Sequence, residues 1–90
     1  MTKHEIVDSL TRQSGIKRKE VLQIINNFLD IIIKTVDNNE RVEFRGFGCF
    51  YRALRRGRRV YSPIVRGSIN IPPKSVLSFK ASKSTERDPV

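Results

Sequence analysis

The stretch RALRRGRRVYSPIVRGSINIPP, residues 52–73, decides how the rest of the chain is interpreted. It contains six arginines and no acidic residue. Arginine occurs at both odd and even positions as far as Arg59, which excludes an ordinary strand with one buried face. Two extended pieces, one ending at Tyr61 and the other covering residues 68–71, flank a turn that contains Pro63. This arrangement predicts a β-ribbon.

The composition of this ribbon predicts an anionic partner. A two-stranded ribbon is only marginally stable in water, and guanidinium groups on both of its faces repel one another. The favoured interpretation is an arm that grips DNA. A solvated, disordered basic loop is the alternative that this stretch leaves open when it is taken alone.

Charge is divided unevenly along the 90 residues, whose formal net charge is +9. Residues 1–43 carry seven basic and seven acidic residues, whereas residues 44–90 carry eleven basic residues and two acidic ones. A neutral half followed by a basic half predicts a scaffold joined to a surface for a polyanion, which is nucleic acid, anionic lipid or an acidic protein. In the basic half arginine outnumbers lysine by eight to three. This ratio favours phosphate or minor-groove contacts.

Length and residue content narrow the class of protein further. Ninety residues make at most one domain, with a core small enough to favour oligomerisation. The single cysteine allows no internal disulfide, the charged N-terminus is unlike a signal peptide, and no apolar run is long enough for a membrane span. We therefore expect a cytoplasmic protein. No pattern of metal ligands, nucleophile and base, or phosphate loop occurs, so we expect no enzyme, metal or cofactor.

Two helices are predicted in the first forty residues. Thr2 and Glu5 have capping-box spacing, and Ser14-Gly15 ends a first helix of about residues 3–13. A second helix covers about residues 18–37 and closes at Asn38-Asn39. Its apolar residues are spread more widely than one stripe, so it needs two surfaces to pack against. We infer a homodimer, while a monomer whose sheet covers the second face is the alternative.

The remaining sequence predicts a sheet interrupted by the arm. Residues 41–45 alternate as a strand, and residues 46–50 form a tight turn in which each glycine supplies a positive φ. The next strand is expected to begin near Phe50 and to continue into the arm, and residues 75–80 return as a third strand. The predicted fold is therefore α+β, with a three-stranded antiparallel sheet and a long ribbon.

The end of the chain predicts a short C-terminal helix. One helical turn is expected after residue 81, capped by Ser82 or Ser84 and stopped by Pro89.

The sequence resembles the bacterial histone-like HU and integration host factor family over its whole length and without gaps. Gly46-Phe47-Gly48-Cys49-Phe50 matches the G-F-G-x-F turn of that family. The Ser14-Gly15 turn, Phe79-Lys80 after the arm and Pro63 near the arm tip match as well. The resemblance implies an intertwined homodimer or heterodimer on a helical base. It also implies two ribbon arms in the DNA minor groove, each with a tip proline that wedges between base pairs and kinks the duplex.

The resemblance also divides the chain by role. Residues 1–45 are expected to form the helical dimerisation base with the first strand, residues 46–80 the sheet with the DNA-binding arm at about 52–73, and residues 81–90 the C-terminal tail. The residues expected in the dimer core are Phe28, Leu29, Ile32, Phe44, Phe47, Phe50 and Phe79.

The sequence departs from the family pattern at a few positions. The usual tip R-N-P-x-T-G is here Tyr61-Ser62-Pro63-Ile64-Val65-Arg66, followed by Gly67. Ala81-Ser82 replaces the usual proline and glycine after the third strand, and Lys17 replaces the usual serine or threonine before the second helix. We expect these changes to affect the geometry of the tip, the bend angle and the site preference, and to leave the fold unchanged.

The residues expected to contact DNA lie on the arm and on the segments that follow it. They are Arg52, Arg55, Arg56, Arg58, Arg59, Tyr61, Pro63, Arg66, Lys74, Lys80 and Lys83. Pro63 is expected to be the intercalating wedge, with a plain turn proline as the alternative. Ile64 and Val65 either enlarge this wedge, form an exposed patch or pack against Tyr61. Lys3 and the basic residues 17–19 either reach flanking DNA or form an ordinary solvated helix start.

Together these observations predict a non-enzymatic architectural protein that binds the minor groove of duplex DNA with two basic arms and bends it, with little sequence preference. One alternative is a site-specific bender of the integration host factor type. Others are a protein that binds RNA or structured junctions, and a basic module for an acidic protein or an anionic membrane.

Overall fold

The structure, a computed structural model, describes residues 1–89. Its elements are α1 (Lys3–Ser14), α2 (Arg18–Asp37), β1 (Val42–Phe44), β2 (Gly48–Arg55), β3 (Arg58–Ser62), β4 (Gly67–Ile71), β5 (Lys74–Ala81) and a 3-10 turn (Lys83–Thr85). The α+β class is confirmed, with two helices before an antiparallel sheet. The chain forms two compact units, residues 1–34 and the part that begins at Thr35.

The helices begin and end close to where the sequence predicts. The Thr2 hydroxyl accepts a hydrogen bond from the backbone N–H of Glu5 at 3.3 Å and so caps α1. Gly15, with φ +72°, ends that helix and donates its N–H to the carbonyl of Thr11 at 3.0 Å. α2 has the predicted limits, and Asn39 follows it in the left-handed conformation with φ +61°.

Polar contacts join α1 to α2 within the first unit. Arg18 donates from Nε to Asp8 Oδ1 at 2.7 Å, and its Nη2 lies 3.2 Å from Nδ1 of His4. Lys3 donates from Nζ to Asn26 Oδ1 at 2.9 Å. The hydrogen bond from Arg18 lowers the pKa of the Asp8 carboxyl below its ordinary value. His4 and Arg18 therefore help to hold α1 and α2 together.

The apolar residues of α2 differ in exposure. Val21, Ile32 and Val36 are buried. The exposed apolar side chains of this helix are Ile24, Phe28, Leu29, Ile31 and Ile33. A wide apolar stripe that stays exposed on a single chain is the pattern from which the sequence predicts a dimer.

The main sheet has the strand order β1-β2-β5 and is antiparallel throughout. β2 begins at Gly48, two residues before the predicted start, because Gly48 pairs with Phe44 on one side and with Ala81 on the other. Alternation places the phenylalanines of the strands on one face, where the ring centroids of Phe50 and Phe79 are 4.8 Å apart. The other face carries basic, small and polar residues: Cys49, Tyr51, Ala53, Arg55, Lys74, Val76, Ser78 and Lys80.

The glycines of the tight turn serve different purposes. Gly46 has φ +81°, which confirms the predicted positive φ. Gly48 does not, and the prediction is wrong there: a Cβ at Gly48 would lie 2.4 Å from Cζ of Phe79 and 2.6 Å from the carbonyl oxygen of Lys80. Gly48 is therefore required by the close approach of β5.

The outer part of the arm is a separate two-stranded sheet made of β3 and β4. β2 runs into the arm as predicted, as far as Arg55, but the ladder is then interrupted: pairing stops after Arg55↔Lys74 and resumes at Arg58↔Ile71. Pro72 and Pro73 interrupt the ladder since proline has no N–H to donate. Opposite them, Gly57 allows a close approach, because a Cβ there would lie 2.7 Å from the carbonyl oxygen of Ile71.

The C-terminal segment contains the single helical turn that the sequence predicts, and this turn ends before Pro89. It forms a three-residue 3-10 turn capped by Ser82, whose hydroxyl accepts from the N–H of Ser84 at 3.4 Å. The turn ends at Glu86, so the expectation that Pro89 stops it is wrong. Ser84 donates from its hydroxyl to the carbonyl of Gly46 at 2.9 Å, which ties this segment to the tight turn. None of the helices in residues 1–89 is long and apolar enough to cross a membrane.

Candidate nucleic-acid interface

The ribbon of β3 and β4 presents two faces of different chemistry. On one face Arg59 pairs with Asn70 and Tyr61 with Ser68. On the other face lie Arg58, Val60, Ser62, Gly67, Ile69 and Ile71. Arg59 donates from Nε to Oδ1 of Asn70 at 3.4 Å, so this cross-strand pair orients one guanidinium on the polar face. Arg58 and Arg59 lie on opposite faces, as the sequence predicts.

The densest positive charge lies at the root of the arm, where the main sheet ends and the ribbon begins. Four basic residues line a cleft there together with Ile71 and Pro72. They are Arg55, Arg56, Arg58 and Lys74. No acidic residue occurs in the sequence between Glu43 and Glu86. Four neighbouring cations repel one another, and a phosphate held among them relieves that repulsion.

The tip of the arm is a four-residue turn, Pro63 to Arg66, between β3 and β4. Pro63 is exposed, and Ile64 and Val65 are 92% and 61% exposed. Arg66 has φ +52°, a left-handed conformation that costs a residue with a side chain about 1–2 kcal/mol. Loops of this length are commonly built around a type I turn. The tip therefore carries an apolar surface followed by one guanidinium.

Arg52 differs from the other arginines of the arm. It lies on β2 within the main sheet, and its guanidinium forms an ion pair with the carboxylate of Asp37 at the end of α2. Its side chain is 26% exposed, whereas Arg55, Arg56, Arg58, Arg59 and Arg66 are exposed residues. Residue spacing gives no sign of this pair, because Asp37 precedes Arg52 by fifteen positions and belongs to another element.

A second basic area lies on the polar face of the main sheet. Lys74 and Lys80 project from this face of β5, six residues apart, whereas Lys83 lies beyond the strand in the 3-10 turn. Arg41, which the sequence analysis did not include among the DNA contacts, lines the same cleft as Tyr51, Arg52 and Lys80. Arg41 directly precedes β1, whose ordinary alternation gives no sign of this role. The pairing of β1 with β2 and of β2 with β5 brings Arg41 to Lys80.

Arg41 is also held by the single cysteine. It donates from Nε to Sγ of Cys49 at 3.2 Å, and this hydrogen bond raises the pKa of the guanidinium above its ordinary value. The Cys49 side chain is buried. Among residues 1–89 no group of three or more histidine, cysteine or acidic side chains is placed to hold a metal ion.

The predicted dimer-core residues differ in their exposure on the single chain. Ile32 is buried in α2, whereas Phe28 and Leu29 of the same helix are exposed. Phe44, Phe47, Phe50 and Phe79 form a chain of ring contacts with centroids 4.8–6.4 Å apart. Phe47 and Phe79 remain 54% and 43% exposed.

Comparison with known sequences identifies relatives over nearly the whole chain. A family model described as "Bacterial DNA-binding protein" matches residues 1–88. Integration host factor subunit beta of Shewanella amazonensis is 40% identical over 87 residues, which cover 92% of this chain and 88% of that protein. DNA-binding protein HU of Thermotoga maritima is 33% identical over 84 residues, covering 93% of each.

Solved structures give the same result for the fold. HU of Anabaena in a cocrystal with DNA matches with a TM-score of 0.84 at 28% identity, covering 93% of this chain and 91% of that one. HU of Thermotoga maritima matches with a TM-score of 0.61 at 27% identity, covering 93% and 91% of the two chains.

Proposed function

Since the chain belongs to the bacterial DNA-binding protein family of HU and integration host factor, we propose that it is a histone-like architectural protein that binds duplex DNA and bends it. The observation that carries this proposal is the exposed ribbon of β3 and β4. It has basic residues at its root, on both faces and at its tip, and no acidic residue. A surface of this kind fits the phosphate backbone and the negative potential of the minor groove.

Each part of the arm has a role in this proposal. The root cluster of Arg55, Arg56, Arg58 and Lys74 holds phosphates where the arm leaves the body. Arg59, Tyr61 and Arg66 bind along the groove, while Lys80 and Lys83 extend the phosphate contacts across the body. Pro63, exposed at the tip and without an N–H, enters a base step and kinks the duplex. Arg52 contributes least to direct binding because Asp37 already neutralises it.

The protein acts as a homodimer in this proposal, and a heterodimer with a related chain is compatible with the same surfaces. The exposed apolar residues of α2 and the half-exposed rings of Phe47 and Phe79 support it, since such surfaces need a partner. The dimer carries two arms, one for each side of the bent duplex. Residues 1–45 form its base, residues 46–80 the sheet and arm, and residues 81–90 the tail.

The cellular setting follows from the same activity. A protein of this kind is not an enzyme, needs no cofactor or metal, and condenses DNA in the cytoplasmic nucleoid of a bacterium. The basic charge of the second half supports this assignment, because +9 on 90 residues favours a polyanion as the standing partner.

The test is end-to-end fluorescence transfer on a short duplex labelled at both ends. Wild type should raise the transfer, and Pro63→Ala should bind but bend less. If a dimer engages about eight phosphates, the logarithm of the binding constant should fall with the logarithm of salt concentration at a slope of about −7. Binding of wild type without a change in transfer would rule out the architectural function.

A site-specific bender of the integration host factor type is the second candidate. The identity of 40% to a beta subunit of that factor favours it. Competition between random duplexes and duplexes selected for binding separates the candidates, because only a site-specific protein strongly prefers the selected pool. Competition by duplex RNA, whose minor groove is wide and shallow, and by an acidic protein tests the remaining alternatives.

A further inference from the structure

The apolar tip of the arm is larger than a single proline. Pro63, Ile64 and Val65 are consecutive and all exposed, with Ile64 at 92% and Val65 at 61%. They occupy a four-residue turn, so the chain reverses at them and they lie at the far end of the arm. Three adjacent exposed apolar residues at the end of a cationic ribbon form a contiguous apolar patch, which is typical of an interaction site.

We propose that Pro63, Ile64 and Val65 together form one enlarged wedge, and that its size makes the protein select base steps that open easily. The inference deepens the proposed function and rests on it. The occupant of this surface is a base step of duplex DNA. The faces of two unstacked bases are apolar, and they are the apolar surface that a polyanion offers to an arm carrying this much positive charge.

The backbone of the turn supports this assignment. Val65 and Ile64 have ordinary negative φ, and the one left-handed residue of the turn is Arg66, next to Gly67. The left-handed position is thus taken by arginine, so both β-branched residues keep an unstrained conformation at the tip. Arg66 follows the wedge directly and is placed to bind a phosphate beside the opened step.

A larger wedge changes which DNA is bound best. Opening a step more widely costs more, and this cost depends on the sequence: TA and CA/TG steps unstack easily, whereas A-tracts are stiff. The A-tract has the narrower minor groove, which attracts arginine. The wedge should therefore favour sequences with easily opened steps, whereas the arginines should favour A-tracts. Weakening the wedge should lower the preference for easily opened steps, and removing an arginine should raise it.

Two duplexes of identical composition separate these effects: one of alternating A and T on each strand, and one with all A on one strand. Wild type should bind the alternating duplex about tenfold more tightly. It should also raise the fluorescence of 2-aminopurine placed in that duplex, because the analogue brightens when it unstacks.

The double variant Ile64→Thr/Val65→Thr keeps both β-branches and makes the tip polar. It should lower the preference about fivefold and reduce the fluorescence gain.

Two control variants test whether the change in sequence preference comes from the apolar residues at the tip. Ile69→Thr makes the same chemical change on the ribbon away from the turn, at a residue 42% exposed, and should leave the preference unchanged. Arg59→Ala should weaken binding to both duplexes and raise the preference for the alternating one. Because Ile64 and Val65 are exposed, the double variant should fold as wild type does, which circular dichroism checks.

The outcomes distinguish this inference from the function on which it rests. If wild type bends mixed-sequence DNA but the double variant keeps the full preference and fluorescence gain, the enlarged wedge is wrong and the architectural function stands. If wild type bends no duplex, the proposed function itself fails. If the double variant loses binding to phosphatidylglycerol vesicles while its DNA preference stays at the wild-type value, the tip serves a membrane and the inference is overturned.

Discussion

The main sheet β1-β2-β5 and the ribbon β3-β4 are both antiparallel, but different interactions hold them. Eight pairs join β2 to β5, and contacts among four phenylalanine rings cover one face of the sheet. Five pairs join β3 to β4, and the ribbon continues into the root cluster of four cations. The sheet therefore has ring contacts of its own, whereas the ribbon lacks a comparable core, and a two-stranded ribbon alone is only marginally stable.

Gly48→Ala should give the largest effect and should act on the sheet alone. Its Cβ would lie 2.6 Å from the carbonyl oxygen of Lys80, a backbone atom that cannot move without breaking the pairing of β2 with β5. We expect the free energy of unfolding to fall by about 3 kcal/mol in chemical denaturation. The matched variant Gly67→Ala in the ribbon, whose Cβ meets only an oxygen at 3.9 Å, should change it by less than about 0.5 kcal/mol. Similar losses for both variants would contradict the distinction between the two regions.

Phe79→Ala tests whether a second chain covers the phenylalanine face of the main sheet. The ring contacts Phe50 and Phe47 but is 43% exposed in the single chain. If a second chain covers it, the loss of stability should reach about 3 kcal/mol and the unfolding midpoint should depend on protein concentration. Tyr61→Ala removes an exposed ring from the ribbon and should change stability by less than about 0.5 kcal/mol. A concentration-independent midpoint for wild type would exclude the dimer.

Replacing one arginine in the ribbon and one in the main sheet compares how much each region contributes to the salt dependence of DNA binding. Arg58→Ala at the root of the ribbon should reduce the magnitude of the salt slope of DNA binding by about two units per dimer, one for each arm. Arg52→Ala on the main sheet should reduce it by less, because the guanidinium already pairs with Asp37. Fluorescence anisotropy titrations at several salt concentrations measure both slopes. Equal reductions would show that the ion pair with Asp37 opens on binding.

The smallest effect is expected at Arg66, where the ribbon carries backbone strain. Arg66→Gly should relieve the cost of φ +52°, whereas Arg66→Ala should retain it. The two variants lose the same charge, so their salt slopes should match. Amide exchange in β3 and β4 should be slower in the glycine variant than in the alanine variant, by about fivefold for a difference of about 1 kcal/mol. Equal exchange rates would show that the turn relaxes without cost.

Much of the first helix and of the main sheet was predictable because the signals are local. The cap at Thr2, the left-handed Gly15 and Gly46, and the alternation around Val42 each depend on a few neighbouring residues. The prediction that failed within the sheet concerns a long-range contact. The requirement for glycine at Gly48 comes from a strand thirty residues later, and periodicity carries no information about it.

For the arm, too, the features that depend on distant segments were not predictable from the sequence. Its charge, its turn and its two faces follow from composition and alternation. The break at Gly57 did not, since the prolines that cause it lie on the opposite strand and act only once the register is known. The neutralisation of Arg52 by Asp37 and the place of Arg41 beside Lys80 likewise depend on pairings between distant segments. Residue content therefore predicted the charge of the arm, whereas the ion pair that engages Arg52 was visible only in the structure.

The most direct test of the division between sheet and ribbon is hydrogen–deuterium exchange of the wild-type protein, free and bound to duplex DNA. The free protein should show slow exchange in β2 and β5, since both are held in the three-stranded sheet, and fast exchange in β3 and β4. DNA should slow exchange in β3 and β4 strongly and change the main sheet little. Equal protection of ribbon and sheet in the free protein, or no added protection of the ribbon on DNA, would contradict the account.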